Sequence, residues 1–558
     1  MPRFLVLLCG LFLLVQPARA EVARGRDGIV SSVDPLATAA GVEAFRQGGN
    51  AIDAAVAVAL TLGVTDGANS GIGGGCFMLI RRANGEIVAL DGREMAPAAA
   101  TRDMYVKDGK AHPELSQTGA LAIGIPGSLA VYEYAVKSFG ARTFGDALRP
   151  AAELAEQGFP LSKPAAGRLA SVAKELWGFP ANRDVFFHPD GTPFAAGETL
   201  QQRDLAASYR GLAEHGTAWF YRDPFPQKVA EWMARNGGLI TAEDFARYTM
   251  KSREPIRTKY RGYDIVSFPP PSSGGVHVAQ ILNILEGYDI ARLTDADRLH
   301  MLAEAMKLAF ADRAFWLGDP DFVPVPRGLI DPAYAAGLRT HISMDHATPV
   351  EAHGTPPEAE TRLFEKHTTH FCTADRAGNW VACTTTVNTT YGSKVMIPGT
   401  GIVLNNQMDD FSIQPGVANA FKLIGGEANA VAPGKRPLSS MSPTIVLQNG
   451  RPVLALGAAG GPTIITQTVI NLVGVLDLHL PLDAALAQPR FHQQWAPDEL
   501  RVEDTLPPPI ADSLRARGHK LVHGAGGASQ IIGVEPQTGE LLGASEPRLP
   551  SKAAGFGK

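Results

Sequence analysis

The chain has 558 residues, 45% of them hydrophobic, and a formal net charge of −5 with acidic and basic residues interspersed. Such a chain buries a large core or two and folds as a globular protein. With no basic stripe or polybasic patch, it has neither the footprint of a nucleic-acid binder nor that of an anionic-membrane binder.

Taken in chain order, the first segment reads as a targeting signal. Arg3 precedes an apolar run from Phe4 to Val15, and Ala18-Arg19-Ala20 has the small-x-small pattern of a signal-peptidase site. A leader over residues 1–20 and export, to a bacterial periplasm or outside the cell, are expected. The apolar run is shorter than the roughly 20 residues that span a bilayer, so no membrane anchor is expected. Three cysteines follow the leader, Cys76, Cys372 and Cys383. An odd number argues for packing hydrophobes rather than a disulfide framework. No CxxC, HExxH or clustered-histidine pattern supports a metal site.

Asp34 as a cap, Pro35 in the first turn and Gly48-Gly49 as a stop predict one helix. Asn50 with Asp53 opens a second, alanine-rich one that runs to about Gly63. "SGIGGGCFMLI" is a glycine-rich turn into a strand, and "EIVALDGRE" from Glu86 is its partner. The glycine cluster is not GxGxxG, because Cys76 stands where the last glycine belongs, and a dinucleotide site is disfavoured. Helical runs at Val278 to Leu285 and Leu299 to Trp316 sit among Gly/Pro punctuation. From Ile342 to Glu365 the chain turns polar, with Pro349, Pro356 and Pro357, which predicts a mobile connector. Strands are expected near Thr368, Trp380, Gly401 and Thr444, and "GAAGG" leads into a helix near Ile464 to Leu478. Strands and helices on one shared core predict an α+β fold of four stacked layers, αββα.

The stretch "EKHTTHFCTADRAGNWVACTTTVNTTY", Glu365 to Tyr391, is rich in threonine. "DRAGN" fits a three-residue hairpin turn with Gly378 in the left-handed conformation. Pairing Asp375 with Asn379 and counting outward sets Cys372 opposite Ala382, His370 opposite Thr384 and Thr368 opposite Thr386. Cys372 and Cys383 then point to opposite faces; a one-residue slip would reverse every side chain. Plain strand propensity accounts for many threonines. A chain break before Thr368 gives a sharper reading, since the new α-amine, with a pKa near ~7.7–8.0, would serve as base for the hydroxyl on the same residue.

The ordered motifs "SGIGGGCFML", "DGREMAP", "PPPSSGG", "LNILEGYDI", "TTHF", "NNQMDDFS", "KRPLSSMSPTI", "GAAGG" and "PRFHQQW" resemble the gamma-glutamyltranspeptidase family of N-terminal-nucleophile hydrolases. The resemblance runs from about Gly28 to Phe556. It implies a precursor that cuts itself between His367 and Thr368 into a large subunit, 21–367, and a small one, 368–558. The two form a heterodimer with a single four-layer αββα sandwich. It also implies an enzyme without a cofactor. Thr368 attacks the γ-carbonyl of a γ-glutamyl donor such as glutathione, and water or an amino acid or peptide acceptor resolves the ester.

By the same resemblance, Arg93 clamps the substrate α-carboxylate with help from Ser439 and Ser440, and Asp410 with Asn388 and Gln407 holds the α-ammonium. Gly460 and Gly461 supply backbone N–H groups to the oxyanion, and Thr386 hydrogen-bonds Thr368. Asp409 is expected to be structural. A surface ion pair, turn-capping serines and a tight turn are the plain alternatives for Arg93, for Ser439 and Ser440, and for the glycines. Two departures stand out. Phe421 occupies the lid position where many bacterial members place a tyrosine that reaches the asparagine matched by Asn388, and Ala458-Ala459 precede the oxyanion glycines where Ser and Pro are common.

Three other readings remain. A glutaryl (cephalosporin) acylase shares the fold but tends to lack the acid matched by Asp410. An unprocessed binding scaffold would retain the fold without the chemistry. A penicillin-binding transpeptidase is suggested only by Ser171-x-x-Lys174, without a KTG partner.

Overall fold

A computed structural model describes residues 22–357 and 370–557. The expected helix starts form as the sequence dictates. Asp34 accepts from the N–H groups of Leu36 and Ala37, with Pro35 opening α1 (Pro35–Arg46). Asn50 and Asp53 form a reciprocal capping box at the start of α2 (Ala51–Thr65). Every residue of α2 is buried. A helix apolar on all sides belongs inside a layered core.

Two seven-stranded antiparallel sheets face each other. The first runs Lys552–Phe556, Gly28–Ser32, His370–Asp375, Trp380–Thr386, Gly75–Arg81, Ile87–Gly92, Lys251–Arg253. The second runs Ala23–Gly25, Leu541–Ser545, Ala528–Val534, Arg451–Ala459, Thr444–Gln448, Tyr263–Ser267, Ile256–Tyr260. Segments from before and after the expected cleavage point interleave in both sheets, so neither part holds a complete layer alone.

Period-two alternation divides the core. Along Gly75–Arg81, Cys76, Met78 and Ile80 face the outer helical layer, where the helix Ser128–Phe139 packs on this strand, while Phe77 and Leu79 enter the layer between the sheets. There Phe77 stacks on Phe268 with ring centroids 4.2 Å apart, a contact worth about 0.5–1.5 kcal/mol beyond the area it buries. The outer face of the second sheet, with Val446, Leu454, Leu456 and Ile531, packs under α3 (Ser273–Leu285) and α5 (Thr463–Leu476), and α4 (Asp295–Trp316) packs on α3. The order of layers is αββα, as expected.

Two expectations need correction. The strand near Gly401 does not form; Gly401 has φ +67°, its Cα abuts Leu205, and only an isolated Met396–Val403 bridge remains. The described part of the connector, 342–357, is anchored rather than loose. Thr348 N–H bonds Glu304, Gly354 N–H bonds Asp312, and Trp316 and Trp495 donate to Gly354 O and Val350 O. The leader 1–20 and residues 358–369 lie outside the described residues. Among the described residues, no helix is long and apolar enough to cross a membrane.

Candidate active site

The threonine hairpin has the register read from its turn. Asp375 N–H bonds Asn379 O at 3.0 Å and Gly378 sits at φ +92°. His370 pairs with Thr384 and Cys372 with Ala382. Cys372 lies between the sheets and Cys383 on the helix side, and both thiols are free. Burial drives His370 down to about 3, so its ring is neutral and bridges Thr384 Oγ1 and Cys372 Sγ. Thr386 ends the second strand, buried, its Oγ1 accepting from Asn388 N–H at 2.7 Å. That bond holds Asn388 in a left-handed conformation, φ +80°. His367 and Thr368 lie outside the described residues.

The residues expected to grip an α-amino acid end converge. Arg93 follows directly on the strand Ile87–Gly92 and is fully buried. Its Nη2 donates to Asp410 Oδ2 at 2.7 Å, its Nε to Pro437 O at 3.2 Å and its Nη1 to Glu94 at 3.3 Å. The surface ion pair is therefore excluded; this one is buried. Asp91 sets the approach by accepting Arg93 N–H, Arg253 and Arg436. Burial alone would raise the Asp91 carboxyl, but Arg436 and Arg253 overcome it and hold it low. Gln407 donates to Asp410 Oδ2 at 2.6 Å, and Asn388 Nδ2 to Asn406 O next in the chain.

Ser439 and Ser440 reach the cluster because "PPPSSGG" and "PLSSMSP" zip together: Ser273 N–H bonds Ser439 O, and Ser439 N–H bonds Pro271 O. Three inward polar atoms, Asn388 Oδ1, Gln407 Oε1 and Ser439 Oγ, have no hydrogen-bond partner among the described residues. Buried polar atoms are rarely left so, and each is a place where a ligand can supply the missing partner.

Gly460 and Gly461 link the strand Arg451–Ala459 to α5 at φ +131° and +60°. A Cβ on Gly460 would meet Thr463 Oγ1 at 2.4 Å and one on Gly461 the Phe421 ring at 2.7 Å, so glycine is required at both. Their carbonyls accept from Thr463 and Ile464, and among the described residues their N–H groups make no hydrogen bond. Phe421 tips a tight loop closed by Asn419 N–H to Leu423 O and held by Gln494, which donates to Lys422 O. A cavity of about 410 Å³ lies beneath, lined by Asn388, Phe421, Gly460, Gly461 and, on another wall, by Asp34, Asp66 and Arg168.

Several residues escaped the sequence reading. Arg313, on α4, is a second buried guanidinium; it donates to Ser273 Oγ and Ser440 Oγ, and burial lowers it to about 10 although Asp410 pulls the other way. An arginine in the apolar stretch "LAFADRAFW" was the available signal. Glu94 is fully buried, and desolvation raises it to about 7 against the pull of Arg93. Asp409 is structural as expected, accepting Ser116 Oγ and the lid's Ala420 N–H. His300, Glu304 and His519 bring ligand-type atoms within 4.8 Å of one another. They are engaged with protein groups: His300 bonds His519, and Glu304 pairs with Lys307 and accepts from Thr348 N–H.

A family model described as gamma-glutamyltranspeptidase matches residues 37–556. The chain is 45% identical over 530 residues to a glutathione hydrolase proenzyme of Escherichia coli, covering 94% of this chain and 91% of that one. Its structure superimposes on a cephalosporin acylase from Bacillus halodurans with TM-score 0.88 at 29% identity, covering 99% and 100%. A gamma-glutamyltranspeptidase from Helicobacter pylori aligns with TM-score 0.56 at 40% identity, over 57% of this chain and 92% of that one.

Proposed function

The chain belongs to the gamma-glutamyltranspeptidase family, and from that premise we propose that it is a self-processing γ-glutamyl transferase and glutathione hydrolase with Thr368 as nucleophile. Scission between His367 and Thr368 gives the parts 21–367 and 368–558, after a leader over 1–20 has directed export. The described register ends at the pair His370–Thr384; continued by two residues, it would bring Thr368 opposite Thr386, which supports this reading. The freed α-amine takes the proton of Thr368 Oγ as this oxygen attacks the γ-carbonyl, and the N–H groups of Gly460 and Gly461 meet the developing oxyanion. The proton passes to the leaving amine, cysteinylglycine when the donor is glutathione. Water or an amino acid or peptide then takes the acyl group. These steps call on no cofactor.

One observation carries the substrate assignment: the buried Arg93–Asp410 pair with the unpartnered atoms of Gln407, Ser439 and Asn388 around it. A zwitterionic α-amino acid end can exchange into such a pair, its carboxylate onto the guanidinium fork and its ammonium onto Asp410, with the orphan atoms supplying the remaining hydrogen bonds. A glutaryl group has no ammonium and would leave the Asp410 charge buried and uncompensated, which disfavours the acylase reading that the Bacillus halodurans likeness invites.

The test is intact-mass analysis of the purified protein together with activity on γ-glutamyl-p-nitroanilide and a glutaryl substrate. Two chains, the smaller beginning at Thr368, and preference for the γ-glutamyl substrate are expected. An active single chain, or preference for the glutaryl substrate, overturns the reading.

A further inference from the structure

Arg93, Asp410, Gln407 and Ser439 account for the amino acid end of a γ-glutamyl amide, but none of them lines the cavity beside Gly460 and Gly461. The half of the substrate beyond the scissile bond needs another place. The cavity has one: the glycine turn and Phe421 form one wall, and Arg168 with Asp66 and Asp34 forms another. Its volume of about 410 Å³ suits a molecule the size of a dipeptide.

Arg168 stands on the helix Lys163–Ser171 with its side chain 30% exposed. Its Nη2 donates to Asp66 Oδ1 at 3.1 Å, and its Nε is buried with no hydrogen-bond partner among the described residues. Asp66 caps the C-terminal end of α2, where the helix dipole already opposes a negative charge. Burial first, and Asp34 as well, raise its carboxyl to about 6 against the pull of Arg168. Asp66 takes Nη2, and the side chain lines the cavity while remaining 30% exposed. A partly exposed guanidinium at the wall of a cavity can take up a carboxylate.

Resting on the function proposed above, we propose that Arg168, positioned by Asp66, binds the free α-carboxylate of the amine half: the departing cysteinylglycine and, after it, an amino acid or short peptide acceptor. The acceptor's neutral amine reaches the ester carbonyl beside Gly460 and Gly461. Its nitrogen forms the new C–N bond, the bond from the carbonyl carbon to Thr368 Oγ breaks, and the proton lost by nitrogen passes through the Thr368 α-amine to Oγ. Two residues of extended chain cover about 7 Å, which sets the reach of a dipeptide from the ester to the arginine. The plain alternative is an ion pair that only closes the end of α2.

The two separate on acceptor chemistry. Transfer from γ-glutamyl-p-nitroanilide to glycylglycine and to glycylglycinamide is measured for the processed wild type, Arg168→Gln and Arg168→Lys. The expected KM for glycylglycine in the wild type is at least about tenfold below that for the amide; this preference falls to about twofold in Arg168→Gln and is kept in part by Arg168→Lys, which retains the charge beside Asp66. A wild type indifferent to the carboxylate, or an Arg168→Gln enzyme with the full preference, overturns the subsite and leaves the function standing. A processed wild type that releases no p-nitroaniline overturns both.

Discussion

Two arginine–carboxylate pairs bracket the candidate site, and they are built differently. Arg93 and Asp410 are both wholly inaccessible and tied to Gln407, Glu94 and Pro437 O. Arg168 and Asp66 lie at the wall of a cavity, with the arginine side chain 30% exposed. A buried pair is poor evidence for stability, because desolvation offsets most of its attraction, whereas removing one member costs about 3–5 kcal/mol. A partly exposed pair is worth about 0–1 kcal/mol and trades partners readily. Under the function and subsite proposed above, the contrast is a division of labour: fixed geometry where one substrate end must be chosen, an adjustable pair where leaving groups and acceptors alternate.

The largest effect removes the proposed nucleophile. Thr368→Ala is expected to give one unprocessed chain without turnover, read by electrophoresis and p-nitroaniline release; a cut, active variant would break the scheme at its centre. Next comes Asp410→Asn. It strips the proposed ammonium's counter-charge and leaves Arg93 buried without its acid, so kcat/KM for γ-glutamyl-p-nitroanilide should fall by about 10²–10⁴, as loss of about 3–5 kcal/mol implies. The loss for a glutaryl substrate should be much smaller. Equal losses for both would dissolve the distinction between the closed pair and the open one.

A smaller effect concerns the acid next to Asp410. Burial raises Asp409 to about 6, although Ala420 N–H and Ser116 draw it down. The folded protein therefore binds more protons here than the unfolded chain from about pH 4 to 6, and stability from this group is present below pH 4 and is lost as pH rises through 6. Asparagine can accept from Ala420 N–H and donate to Ser116, so Asp409→Asn keeps the lid's anchor. The difference in unfolding free energy between variant and wild type, read from denaturant melts, should grow in the variant's favour from pH 4 to pH 7, with a ceiling of about 3 kcal/mol. A difference independent of pH would show that the lid is held without this linkage.

Much of this was legible in the sequence, for reasons that can be named. Caps and breakers act locally, so Asp34, Asn50 and Asp53 marked the helix starts before any tertiary contact was known. The hairpin register followed because a three-residue turn fixes every pair beyond it. The site's motifs were visible as strings, but not that Arg93 and Asp410, 317 residues apart in sequence, would pair with each other. Arg313 was hidden because nothing local separates a buried arginine on an apolar helix from one that reaches solvent. The expected strand at Gly401 failed on backbone grounds: its φ of +67° lies outside the extended region, and Leu205 leaves no room for a side chain there. The anchored connector shows the converse, a proline-rich polar segment held by hydrogen bonds to Glu304, Asp312, Trp316 and Trp495.

The smallest expected effect sharpens the open side. Phe421 lies against the Gly461 backbone and shares a cavity with Asn388, whose Oδ1 has no partner among the described residues. The lid here is held by packing, by Gln494 and Asp409, and by Phe421 N–H donating to Asn419 Oδ1. Phe421→Tyr adds a donor on the ring that faces this cavity. One net hydrogen bond is worth about 0.5–1.5 kcal/mol, so the lid's closed state should gain and the donor KM should fall by about two- to tenfold. If lid opening admits acceptors to the Arg168 wall, the same variant should lower transfer relative to hydrolysis. Identical hydrolysis and transfer kinetics in the two proteins would mean that the lid tip does not control access, and the asymmetry between a closed and an adjustable half would then rest on Arg168 and Asp66 alone.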